Sequence, residues 1–218
     1  MSAGTEPAPP VGVLGGTFDP IHHGHLRLAV ELREKLMLRE IRLIPNGYPP
    51  HRDTPSADTA RRIEWIRSSI VDEPGLVLDE REYRRHGKSY TVDTLASLRE
   101  EMPHTPLCLV LGMDTFRGLT TWHEWRRLLD LAHLVVAPRP GVEAPATGPL
   151  GELVRERGTS DYRDLHQRNN GLVYECDTTP LAISATEIRR LLNQGQSVRY
   201  LLPDQVWREI QGAGIYRK

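Results

Sequence analysis

Two histidines three residues apart, His22 and His25, with Gly24 between them, are the first side chains in this sequence that could do chemistry. Both can donate hydrogen bonds to an anion, and the glycine keeps side-chain bulk out of the space phosphates would fill. Taken alone, His-x-Gly-His is chance spacing or a metal pair. Its setting is more specific, because Gly15-Gly16-Thr17-Phe18-Asp19-Pro20-Ile21 runs directly into it. The stretch before the glycines, Val11 to Leu14, is apolar, and Leu26, Ala29, Val30 and Leu36 beyond the histidines recur at helical spacing. A strand-to-helix turn of this kind brings glycine backbone and unpaired helix-start amides to the positive end of a helix dipole. The combination describes an anion site, most naturally one for phosphate. Neither G-x-G-x-x-G nor G-x-x-x-x-G-K-S/T spacing occurs in the turn.

These residues resemble the signature of the nucleotidyltransferase superfamily of Rossmann-like adenylyl- and cytidylyltransferases, in which His-x-Gly-His holds the nucleoside triphosphate. A second signature near the other end of the chain strengthens the resemblance. Ile183-Ser184-Ala185-Thr186-Glu187-Ile188-Arg189 follows a loop and opens a helix. Ser184 with Glu187 is also a capping box, which is its structural reading. Between the two lie motifs similar to those of bacterial nicotinate-nucleotide adenylyltransferases: Pro49-Pro50-His51-Arg52, Ser89-Tyr90-Thr91 ahead of Asp93-Thr94, and Gly112-Met113-Asp114 followed by Trp122. Each has a plain alternative, respectively a stiff surface loop, a helix start, and a helix cap with a core tryptophan. Two departures stand out: Arg52 where many relatives have Lys, and His123 where some have Tyr.

The resemblance implies roles residue by residue. Gly15, Gly16, Thr17, Phe18, His22, His25, Ile183, Ser184, Thr186 and Arg189 would hold ATP. His51, Arg52, Tyr90, Thr91, Asp114 and Trp122 would hold a pyridine mononucleotide. His22, His25 and Arg189 would carry the transfer of an adenylyl group to nicotinate mononucleotide. Magnesium is implied on the ATP phosphates without dedicated protein ligands, with Asp19 left open as a group behind its waters. The pocket lining offers donors and a stacking ring, and Glu124, the nearest acid in sequence, is expected to point elsewhere; both favour the pyridine acid over the amide.

The elements that must position these residues are legible in the apolar pattern. Expected strands cover Val11 to Leu14, Glu40 to Pro45, Leu76 to Leu78, Leu107 to Leu111, His133 to Ala137 and Leu172 to Cys176, and expected helices alternate with them. Helices are expected over Thr59 to Glu73, over Ser89 to Met102 with Ser89 as cap, and after Ser184. This is the α/β pattern of a Rossmann-like parallel sheet with helices on both faces, here with a small C-terminal helical portion. Val142 to Asn170 is polar and weakly periodic, and reads as a surface excursion with one short helix near Leu153. Of Trp122 and Trp125, one is expected in the core. Met1 to Pro10 reads as a flexible tail, and 11–218 as one domain.

Composition narrows the partners. The 218 residues carry 28 Lys plus Arg against 29 Asp plus Glu, so no global basic field points to nucleic acid. Cys108 and Cys176 give no disulfide framework, and no apolar run approaches the roughly 18 residues of a membrane span. A cytoplasmic setting is expected, and a homo-oligomer is left open. The competing readings are a phosphopantetheine adenylyltransferase, which shares the first motif, and a nucleotide-sensing module without catalysis.

Overall fold

The computed structural model describes residues 8–47, 56–85, 87–139 and 141–216. Seven strands form one sheet: β1 Val11–Gly16, β2 Glu40–Pro45, β3 Leu76–Leu78, β4 Leu107–Gly112, β5 His133–Ala137, β6 Gly158–Thr159 and β7 Val173–Glu175. All pair in parallel, in the order β3-β2-β1-β4-β5-β7-β6. From β1 the chain builds outward through β2 and β3, then returns to the other side of β1 with β4. That reversal opens a crevice at the carboxyl ends of β1 and β4, the place where such sheets bind ligands.

Helices cover both faces because both faces are apolar. In β4 every residue from Leu107 to Leu111 is buried, and alternation sends Cys108 and Val110 to one core and Leu107, Leu109 and Leu111 to the other. The first core is closed by α1 (His23–Lys35) through Ala29, Leu32 and the adjoining Leu36, and by α2 (Thr59–Ser69) through Trp65 and Ile66. The second is closed after the short α3 (Arg81–Arg84) by α4 (Thr91–Glu101), α5 (Met113–Arg117), α6 (Leu128–Leu131) and α7 (Gly148–Arg157). Val92, Leu95, Leu98, Met113 and Phe116 are among the side chains they bury there.

Several boundaries move. The helix expected to Glu73 stops at Ser69, where Ile70 leaves helical geometry. Ser89 is not a cap; Tyr90 stands at the start of α4 in extended geometry and makes no side-chain cap bond. The Val142 to Asn170 excursion does hold a helix at Leu153, but it also contributes the edge strand β6 and the short α8 (Asp164–Gln167). The C-terminal helices α9 (Ala185–Asn193) and α10 (Asp204–Ala213) are not an appendage. Their Ile188, Leu192, Val206 and Ile210 are buried in the first core.

Candidate active site

The turn from β1 into α1 is shaped by packing under it. Neither Gly15 nor Gly112, at the carboxyl ends of β1 and β4, has any atom within 4 Å of where a Cβ would stand, so both present open backbone to the crevice. Gly16 differs, since a Cβ there would meet the Phe18 ring at 3.1 Å. Phe18 is only 2% exposed and sits at a left-handed φ of 48°. Its ring stands edge-on to His25, with centroids 5.0 Å apart. The side chain therefore supports the turn from below.

His22 and His25 stack with ring centroids 3.6 Å apart and planes 20° apart. Burial, followed by the nearby His23, lowers the His22 pKa to about 4. His25 is also pushed well down, again by burial first and by His22 second. Both rings are neutral at physiological pH. Their Nδ1 atoms are buried without a hydrogen-bond partner among the described residues.

Gly24 also has a packing use. A Cβ on it would stand 3.0 Å from His22 Nδ1 and 3.3 Å from the Ile183 carbonyl oxygen, so the glycine is there to let the second signature approach the first. The helix-start amides are likewise not all open: His23 N donates to Leu201 O at 3.0 Å and His25 N to His22 O at 2.9 Å. Arg189 completes the junction, with Nη1 donating to the Asp19 carbonyl oxygen at 2.7 Å and Nη2 reaching Thr186 Oγ1 at 3.4 Å. Ser184 caps α9 by accepting from Glu187 N at 3.2 Å. The reciprocal half of the capping box is missing, because the Glu187 carboxylate pairs with Arg190 instead.

Asp19, left open as a group behind metal-bound water, has structural work. It is 4% exposed and accepts from Ser56 N at 2.9 Å, from Ala57 N at 3.1 Å, and from the Tyr216 hydroxyl. Arg62 braces the other side of the turn by donating to Thr17 O at 2.6 Å and Asn46 O at 2.9 Å. The sequence reading passed over Arg62, yet a signal existed: it stands four residues before Ile66 on the same buried helix face, where a charge requires an explanation.

Across the crevice, Tyr90 and Thr91 begin α4, and the Tyr90 ring lies 4.4 Å from that of His123. Asp114 occupies the first turn of α5 and is ion-paired with Arg139, which follows β5 and was not anticipated. Trp122 and Trp125 both pack half-buried against the second core, so neither is the fully buried residue expected; Arg126 covers Trp125 at 4.5 Å. Glu124 turns to Arg127 at 2.9 Å. A second acid, Glu82, lies beneath this wall, 5% exposed and accepting from Thr94 Oγ1 at 2.7 Å, with burial raising its pKa. His51 and Arg52 fall outside the described residues.

The burial of His22 has a measurable consequence. Above pH 6.5 the ring is neutral whether folded or unfolded and adds nothing; below it the unfolded chain takes up a proton that the folded chain refuses until about 4. Stability should fall as pH drops through that window, by about 1.4 kcal/mol per unit for this group. An NMR titration should place the His22 inflection near 4. An inflection at about 6 or higher, close to an ordinary histidine, would contradict the burial.

Residues 13–191 match a family model described as cytidylyltransferase-like. A protein of Aeromonas salmonicida (strain A449) named "Probable nicotinate-nucleotide adenylyltransferase" is 49% identical over 208 residues, covering 95% of this chain and 97% of its own. One of the same name from Methylococcus capsulatus is 46% identical over 209 residues, covering 95% and 100%. Among solved structures, "Plasmodium falciparum nicotinic acid mononucleotide adenylyltransferase complexed with NaAD" shares the fold with a TM-score of 0.73 at 16% identity, across 95% of this chain and 97% of that one. The chain belongs to the cytidylyltransferase-like family and, within it, to the nicotinate-nucleotide adenylyltransferases.

Proposed function

We propose that this protein transfers the adenylyl group of ATP to nicotinate mononucleotide, releasing pyrophosphate and forming nicotinate adenine dinucleotide for NAD biosynthesis. Family membership supports the reaction. The observation that carries the assignment to this crevice is the junction of the two signatures, where Arg189 bonds the Asp19 carbonyl at 2.7 Å. It brings glycine backbone, two imidazoles, a guanidinium and a helix start to one point.

A mononucleotide phosphate has its second pKa near ~6 and is mostly dianionic at neutral pH, so it needs no general base. One of its oxygens forms a bond to the α-phosphorus of ATP as the bond from that phosphorus to the bridging oxygen of pyrophosphate breaks, and the electron pair leaves with pyrophosphate. The protein's task is to hold two polyanions in line and to stabilise charge as it moves. His22 and His25, kept neutral, donate hydrogen bonds to phosphate oxygens and do not act as acids. Arg189 and Ser184 face the departing pyrophosphate, with Ile183 and Thr186 lining that loop. Tyr90, Thr91, Asp114 and Trp122 border the mononucleotide, and His51 and Arg52 steer its phosphate.

Magnesium belongs to this reading as the ion carried by ATP, where it neutralises phosphate charge. Among the described residues no group of three metal-ligating side chains forms a site, and Asp19 is committed to amides and a hydroxyl, so phosphate oxygens and water fit as its ligands. No helix among the described residues is long and apolar enough to cross a membrane. A cytoplasmic setting is part of the reading, and so is the lack of a nucleic-acid partner, the latter supported by a formal net charge of −1.

The test is pyrophosphate release from ATP and magnesium with a panel of acceptors. Nicotinate mononucleotide should be used, phosphopantetheine should not, and a mere sensor would use neither. Glu124, tied to Arg127, offers no partner to a carboxamide NH₂. An amide facing donors leaves a buried polar group unpaired at a cost of about 1–3 kcal/mol, so kcat/KM should favour the acid at least about tenfold over the amide. Equal values for the two would show the pocket to be misread.

The same assay examines the histidines. Losing one transition-state donor costs ~2.7–4 kcal/mol, so His22→Ala and His25→Ala should each lower kcat by roughly 10²- to 10³-fold with the fold intact. Turnover within a few-fold of wild type in both variants would remove them from the mechanism.

A further inference from the structure

We propose that Glu31 is a positioning residue for the triphosphate loop, acting through Thr179. The inference rests on the adenylyl-transfer reading and adds to it a group outside either signature. Between the end of β7 at Glu175 and the start of α9 at Ala185, the chain has no regular secondary structure. This is the segment that must deliver Ile183, Ser184, Thr186 and Arg189 to the crevice. Its far end is tied down by the Gly24 contact and by Arg189. Its near end is tied to α1 by a buried carboxylate.

Glu31 is 4% exposed. Its two oxygens receive the Thr179 amide at 3.0 and 3.1 Å, and one of them also receives Thr179 Oγ1 at 3.2 Å. Lys35, one turn further along α1, stands 3.0 Å from the same carboxylate and donates to Asp177 O at 2.6 Å. Arg27, one turn back, lies 3.7 Å away. A buried carboxylate is costly unless its oxygens are satisfied, and here the loop supplies three of the contacts that satisfy it. The same helix carries His25 in its first turn, roughly 9 Å from Glu31 at 1.5 Å of rise per residue, with His22 as the residue that precedes it. One rigid element therefore sets the distance between the imidazoles and the loop that brings in Arg189.

Nothing places Glu31 in contact with substrate. Its effect should appear as a selective change in handling of ATP, whereas a merely structural acid would lower stability and disturb both substrates alike. In Glu31→Gln one oxygen becomes an NH₂, which turns donors toward the Thr179 amide and the Lys35 ammonium. The expected result is a KM for ATP raised about tenfold or more, with the KM for nicotinate mononucleotide within about twofold of wild type. Thr179→Val, which removes only the Oγ1 donor, should move the KM for ATP the same way by a smaller factor, and it serves if Glu31→Gln does not fold. Arg27→Met keeps the carboxylate, its bonds to Thr179 and the Lys35 tie to Asp177, so it should leave the two KM values unseparated. Equal shifts in both KM values for Glu31→Gln, or none, overturn the inference while an active wild type leaves the adenylyl-transfer reading standing. A wild type that releases no pyrophosphate from ATP overturns both.

Discussion

The first turn of α1 approaches the carbonyl of Ile183 at Gly24, where a Cβ would be crowded at 3.3 Å, and the candidate site depends on that approach. With no Cβ at Gly24, the His22 ring and the Ile183 carbonyl share the space beside it. Leu201 O occupies the His23 amide from a third segment, and Arg189 holds the Asp19 carbonyl. Three pieces of chain, the β1–α1 turn, the second signature and the Leu201 segment, are thereby fixed around one helix start. Parallel strands β1 and β4 set where that start lies, because the reversal of strand order between them leaves the crevice open at their carboxyl ends.

The electrostatics follow from the packing. Phe18 stands edge-on to His25, and burial, followed by the neighbouring histidine, is what lowers the pKa values of His22 and His25. Two stacked rings could not both be charged at 3.6 Å without strong repulsion, and as neutral donors they need not be. Fixed positive charge comes instead from Arg189, which keeps about a third of its side chain, 34%, exposed at the mouth of the turn. Neutral donors inside and a cation at the rim suit a reaction in which charge shifts between phosphates and no proton has to be abstracted.

Much of this was legible in the sequence where side-chain identity decides the outcome. The unbroken apolar run of β4 announced a strand buried on both faces, and Gly15 to His25 announced a strand-to-helix turn. Where backbone atoms decide, the sequence was silent: the Leu201 carbonyl that takes the His23 amide has no side-chain signature. β6 was missed because two residues, Gly158 and Thr159, carry no alternation to read. Ser89 looked like a cap, but its hydroxyl lies beside Gly47 and bonds Glu82, and the extended Tyr90 is the residue that precedes the helix. Glu31 and Arg62 were visible as charges in phase with buried helix faces. What could not be read was that each is satisfied by a loop more than one element away.

The central claim is that Gly24 welds the two signatures into a single ATP site, and Gly24→Ala tests it with the smallest possible change. Calorimetric titration of ATP into this variant should show affinity reduced at least about tenfold, since a methyl group 3.0 Å from His22 Nδ1 and 3.3 Å from the Ile183 carbonyl oxygen is crowded and shifts the His22 ring or the Ile183 backbone by a few tenths of an ångström. Binding of nicotinate mononucleotide, across the crevice, should stay within about twofold of wild type. ATP binding unchanged in Gly24→Ala, or both ligands weakened equally, would contradict the account.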